Sequence, residues 1–286
     1  MAAERRYKRA VRGSSGKCGC LTAGLLPVLL AAAASSGAQT RPLQTEEATT
    51  ARAGTVLFET GFEAIAAEPS FVTGVERTRW DGPLLRLVYS PADSVELDLE
   101  WVAAVGAGSA PGEPRVSDTG DVTLRTKLRV LKGRGRRPTV SGRFGVVLPQ
   151  TSYEDEDFRP LALGPNTIRF YVEALVTQPV GPVQLDANAG LFIHDDPTRQ
   201  HDQLDFLSYG LAARWEVRPS WEIVAEVAGR AGEGKPGAGE RSEARIGVRY
   251  GRGRLRFDAA LRRGLIAEQG TWGATAGLSW LTRPGS

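Results

Sequence analysis

The 286 residues are 41% apolar with a mean hydropathy of −0.23, too polar for a helical membrane protein. The formal charge of +3 resides in the first 38 residues: without their six Lys/Arg and one Glu, 30 basic residues face 32 acidic ones, and no nucleic-acid footprint is left. Both cysteines lie in that same stretch, which excludes disulfide and thiol chemistry from the remainder.

Residues 1–38 read as a cleavable signal peptide. Arg5, Arg6, Lys8, Arg9, Arg12 and Lys17 form a basic n-region, and Leu21 to Ala34 is an apolar run too short to span as a helix. Ser36, Gly37 and Ala38 offer a small-residue cleavage site, with Gln39 as the first mature residue. Cys18 and Cys20 precede the apolar run, so no lipoprotein anchor is expected. Residues 39–53 are polar and rich in Thr and Glu, and are expected to be a flexible periplasmic lead-in.

From residue 54 the chain alternates apolar and polar residues with period 2, the mark of half-buried strands. The first predicted strand, 54–65, sets Val56, Phe58 and Phe62 against Glu59 and Glu63. The second, 72–89, alternates well at Leu85, Leu87 and Tyr89 but loses phase at Arg77 and Arg79. A bulge at Gly82-Pro83, or exit from the membrane above Trp80, accounts for that. The third, 94–104, opposes Val95, Leu97, Leu99 and Trp101 to Glu96, Asp98 and Glu100, and a Gly/Pro-rich loop, 105–119, follows. The fourth is the clearest: Val122, Leu124, Thr126, Leu128 and Val130 on one face, Thr123, Arg125, Lys127 and Arg129 on the other. After a Gly/Arg/Pro turn the fifth resumes with Val140, Phe144, Val146 and Leu148 against Ser141, Arg143 and Gly145.

A long loop, 151–165, carries the acidic residues 154–157. The sixth and seventh strands, 166–178 and 183–193, turn Arg169 and Asp186 to the polar side. The eighth and ninth, 205–217 and 221–230, put Ser208, Arg214, Glu222 and Glu226 there. The tenth, 243–250, adds Arg245 and Arg249, and strands at 255–263 and 270–281 complete the series before a short tail, 282–286.

Connections after odd-numbered strands are the longer, and those after even-numbered strands are tight. An even-stranded outer-membrane barrel with both termini in the periplasm requires that sorting; a soluble sandwich does not. The expected fold is therefore all-β, an antiparallel transmembrane β-barrel of about twelve strands over 54–281. Tyr89, Trp215, Trp221, Tyr250, Phe257 and Trp280 sit near the tight turns on the apolar side, as an interfacial girdle would, and Trp101 and Trp272 are candidates for the other girdle.

The polar side then faces a lumen. Its expected lining is Glu96, Asp98, Glu100, Arg125, Lys127, Arg129, Arg143, Arg169, Asp186, Arg214, Glu222, Glu226, Arg245 and Arg249. Acidic and basic strands adjoin, so cross-strand ion pairs can stiffen the wall, or the two signs can divide the pore into opposed walls. Twelve tilted strands enclose a backbone diameter of roughly 24 Å, which suits a solute passage or a lumen filled by side chains. No catalytic set, metal or cofactor is expected. His194 and His201 share a loop with Asp195, Asp196 and Asp202 but loops are polar anyway, and Ser208 points by parity into the lumen and away from a lipid substrate.

Three stretches, LVYSPADSVELDLEWV (87–102), GDVTLRTKLRVL (120–131) and FGVVLPQ (144–150), resemble the outer-membrane barrel family named after the meta-cleavage pathway of phenol degradation. The likeness extends loosely over 54–280. It implies an outer-membrane transporter, in some members encoded with aromatic-degradation genes, and brings no catalytic residues. The expected function is passive passage of small solutes, hydrophobic or aromatic ones included; the alternative is a closed structural or adhesive barrel acting through its loops. Expected partners are small-molecule solutes, outer-membrane lipid and the barrel-insertion machinery, with no nucleic acid.

Overall fold

The computed structural model describes residues 39–70, 74–111, 113–152, 163–164, 166–196, 202–232, 239–266 and 269–282. The expected signal peptide, the acidic residues 154–157, His201 and tail residues 283–286 lie outside them.

Fourteen strands follow in order: β1 (Val56–Pro69), β2 (Glu76–Ala92), β3 (Val95–Val102), β4 (Val105–Ala107), β5 (Val116–Asp118), β6 (Val122–Leu131), β7 (Thr139–Leu148), β8 (Arg169–Val180), β9 (Val183–Asp195), β10 (Gln203–Arg218), β11 (Trp221–Ala231), β12 (Arg241–Arg252), β13 (Leu255–Gly264) and β14 (Trp272–Leu281). Twelve of them form one antiparallel circuit, which closes where β1 pairs with both β2 and β14. Closure removes every open strand edge from that circuit, which a sheet in hydrocarbon requires. The remaining two, β4 and β5, lie in what reads from sequence as a plain loop, 105–119. They are a small ribbon hydrogen-bonded to the first half of β2. Four of the tight connections are two residues long, 93–94, 181–182, 219–220 and 253–254, and all lie at one end of the barrel; the opposite end is called outer below.

Period-2 patterning sorts the side chains as expected. Phe170, Leu207, Leu211, Ile246 and Leu261 stand on the exposed outside, while Glu59, Glu96 and Asp186 are fully buried inside. The predicted girdle residues Trp215, Trp221, Phe257 and Trp280 are likewise exposed on the outer face, and the Trp221 and Tyr250 rings meet at 4.8 Å between centroids.

The lost phase in β2 is a bulge. The β1 partners step from Gly61↔Leu84 to Glu63↔Asp81, so Phe62 alone faces Gly82 and Pro83. Gly82 has φ +140°, and a β-carbon there would stand 2.7 Å from the Phe62 ring, so only glycine fits. The extra residue restores parity: Arg77 is buried and pairs with Glu113 at 3.0 Å, and β2 changes partner at the same point from β3 to β4.

Candidate functional site

The largest departure from the sequence reading is at residues 39–53. They are not a flexible lead-in: Gln39, Leu43, Thr45, Glu46, Glu47, Ala48 and Ala51 are buried within the barrel. The segment begins beside β13 and β14, where the Gln39 amide takes a bond from Arg256 and donates to Ser279. It reaches mid-barrel at Gln44 and Thr45, whose backbone N–H groups both donate to the Glu226 carboxylate at 2.8 Å. It then returns to the tight-turn end, where Ala53 N–H donates to Asp93 at 2.8 Å, and enters β1. An irregular segment has no ladder of its own, so its backbone groups need partners from the wall. Inward carboxylates and guanidinium groups supply them.

Half of the expected pore lining turns out to hold this plug. Lys127 donates to Glu46 at 2.9 Å, Arg143 pairs with the same carboxylate, and Arg86 lies 3.7 Å from it. Arg214 pairs with Glu47 at 3.2 Å. Arg245 donates to the carbonyl of Pro42, Arg249 to those of Thr40 and Arg41, and Ala51 N–H donates to Glu96. Leu43 packs on Ala212 and Val224, and Ala51 packs on Leu57 and Val88. Wall glycines leave the room: Gly61 and Gly277 face each other across β1 and β14, and Arg41 lies over both. A β-carbon on Gly210 would stand 2.5 Å from the Thr45 hydroxyl.

The remaining lining residues form the expected ladders. Register places Glu96 opposite Lys127, Asp98 opposite Arg125, Glu222 opposite Arg249 and Glu226 opposite Arg245. The corresponding ion pairs are 2.6 Å for Glu96–Lys127, 3.1 Å for Asp98–Arg125 and 2.7 Å for Glu222–Arg249, with Arg125 also reaching Glu100 at 2.6 Å. Asp186 binds Arg214 at 2.9 Å and Arg169 pairs with Asp121. Arg129 stands apart, near the tight-turn end, with no ion pair among the described residues. Arg86, Glu59, Glu63, Glu173 and Glu243 complete the network. Their parity marked them as inward; only their partners were unreadable.

Above the plug, toward the outer end, lies a cavity of about 420 Å³ floored by residues 40–46. Tyr171, Phe192 and Tyr209 are among its lining residues, and behind Phe192 the inward rings continue. Phe192 and Phe206 flank His194, with ring centroids 5.9 and 5.5 Å away, and Tyr171 stacks on Phe192 at 6.2 Å. His194 Nδ1 donates to the Asp195 carbonyl at 2.7 Å, which holds the ring in place.

A closed, twelve-stranded circuit with an apolar outside and an ionic inside defines an outer-membrane β-barrel. Within that class, residues 116–278, more than half of the chain, match the family described as uncharacterised conserved protein UCP029691, and the chain belongs to that family. No curated protein matches it in sequence. Among solved structures it is similar to the COG4313 outer membrane channel from Pseudomonas putida F1, with TM-score 0.62 and 16% identity over 82% of this chain and 97% of that one. That likeness is one of fold. The KdgM porin in complex with disordered oligogalacturonate (TM-score 0.49, 5% identity, 79% of this chain and 98% of that one) and the translocator domain of autotransporter NalP from Neisseria meningitidis (0.48, 11%, 79% and 87%) are more distant barrels.

Proposed function

We propose that this barrel is a passive outer-membrane channel for small solutes, closed on its periplasmic side by residues 39–53. The observation that carries this reading is the cavity of about 420 Å³ above the plug, sized for a small solute and floored by an irregular segment instead of a strand. The rings of Tyr171 and Phe192 on its wall support aromatic or hydrophobic solutes. So does the resemblance of residues 87–102, 120–131 and 144–150 to the family named after the meta-cleavage pathway of phenol degradation. Lipid would meet the exterior belt, and the barrel-insertion machinery would place it there.

One observation favours the alternative, a closed structural barrel acting through its loops: the plug is bonded to the wall along most of its length, from Gln39 to Ala53. Liposome swelling separates the two. Vesicles carrying the mature chain should swell in a small solute that a bare bilayer excludes, such as arabinose, and stay intact in a trisaccharide. Vesicles that never swell, with the plug present or deleted, overturn the channel reading.

A further inference from the structure

Four inward arginines are reached from the outer end of the lumen: Arg143, Arg169, Arg230 and Arg241. Three have acidic partners, Glu173 for Arg143, Asp121 for Arg169, and Glu68, 3.8 Å away, for Arg241. Arg230 has none among the described residues, although it sits directly across the β11–β12 ladder from Arg241. Like charges in directly opposed positions repel, and a half-buried cation without a counter-charge is costly. Among the described residues the wall supplies no counter-charge for Arg230 at this point.

The surroundings define what would fill it. The Arg230 guanidinium lies 4.2 Å over the Phe192 ring and 5.9 Å from that of Phe206. A guanidinium stacked by its face keeps its N–H edges free, the geometry that grips a planar carboxylate with two parallel bonds. Ser208, 7% exposed, lines the same cavity, and its hydroxyl has no hydrogen-bond partner among the described residues. Leu204 and Phe206 are buried behind Phe192 and back its ring.

We infer that the outer vestibule is a recognition site for small aromatic carboxylates, with Arg230 holding the carboxylate, the Ser208 hydroxyl beside it, and Phe192 and Tyr171 receiving the ring. This names a substrate class for the channel and rests on that reading for its physiological meaning. Its test needs no conductance.

Binding to the purified mature chain in detergent is measured by calorimetry with three probes: benzoate, its neutral counterpart benzyl alcohol, and inorganic phosphate. Benzoate should bind at least about tenfold more tightly than benzyl alcohol, as a charge-assisted bond to a half-buried cation would give. Arg230→Gln should bring benzoate down to the benzyl alcohol level, whereas Arg230→Lys, which keeps the charge, should fall between. Phe192→Ala should weaken both aromatic probes. Each variant is first checked for the heat-dependent gel migration of a folded barrel, so a misfolded one is replaced by the Lys variant. Equal affinity for benzoate and benzyl alcohol, or benzoate binding indifferent to Arg230→Gln, overturns the assignment. Phosphate that binds as tightly as benzoate and competes with it also overturns it, since the site would then read charge alone. Benzoate binding in a protein that never passes solute would sink the channel and leave the site; solute passage without benzoate binding would do the reverse.

Discussion

Glu46 carries more of the closure than any other plug residue, because one buried carboxylate meets Lys127, Arg143 and Arg86. Each of those cations has a second acid in the wall: Glu96 for Lys127, Glu173 for Arg143, Glu59 and Asp98 for Arg86. Glu46→Gln should therefore spare the barrel while weakening plug docking by about 3–5 kcal/mol, the scale of breaking a buried pair. Residues 39–286 lack cysteine, so in a chain beginning at Gln39 a cysteine introduced at the fully buried Ala48 reports the docking: a water-soluble maleimide should label it slowly in the parent and rapidly beside Glu46→Gln. Equal labelling would mean that the carboxylate does not hold the segment. Gly210→Val tests the same contact from the wall, where the new side chain collides with Thr45 and should raise labelling without losing the folded band. At this scale the sequence was half legible. Parity pointed Lys127, Arg214 and Arg245 inward, but nothing in an alternating pattern says that their partner comes from upstream of the first strand. The facing glycines at 61 and 277 were the available signal, since a small pair on the inner face leaves a groove for something else.

Among the elements, β2 and the plug show opposite limits of pattern reading. The bulge was one of two readings of the phase lost at Arg77 and Arg79, beside exit from the membrane above Trp80, and the register decides for it. Gly82→Val should destabilise the barrel by about 1–3 kcal/mol, because the residue must keep a positive φ against the Phe62 ring. The check is the urea midpoint of the heat-modifiable band, which should fall; an unchanged midpoint would show that the bulge tolerates a side chain. The plug was illegible for the converse reason. A segment without helical or strand period carries its structure in its partners, so residues 39–53 read as solvated when Arg41, Glu46 and Glu47 in fact met counter-charges. The ribbon β4–β5 escaped notice similarly, as three-residue strands are too short to show a period. Phe192 escaped because Leu191-Phe192-Ile193 is an unbroken apolar run, in which only the parity of its neighbours tells which ring faces inward.

For the whole molecule, orientation follows from which face tolerates charge. Leu211, 62% exposed at the middle of β10, should cost about 2–4 kcal/mol when changed to Arg, whereas Arg129→Gln, on the inner face near the tight turns, should shift stability little. Comparable urea midpoints for the two variants would contradict a lipid-facing exterior. The strand number, closure and sorted loop lengths were all readable in advance, because a barrel writes its global constraint into every strand.

What the pattern left open is whether the lumen conducts, and the single-channel conductance of the mature chain compared with the same chain lacking residues 39–50 addresses that directly. The account predicts small or intermittent currents for the intact protein and a larger, steady conductance once the segment is gone, with both proteins migrating as folded barrels. Equal conductance in the two, or silence in both, would contradict a lumen closed by its own N-terminal segment.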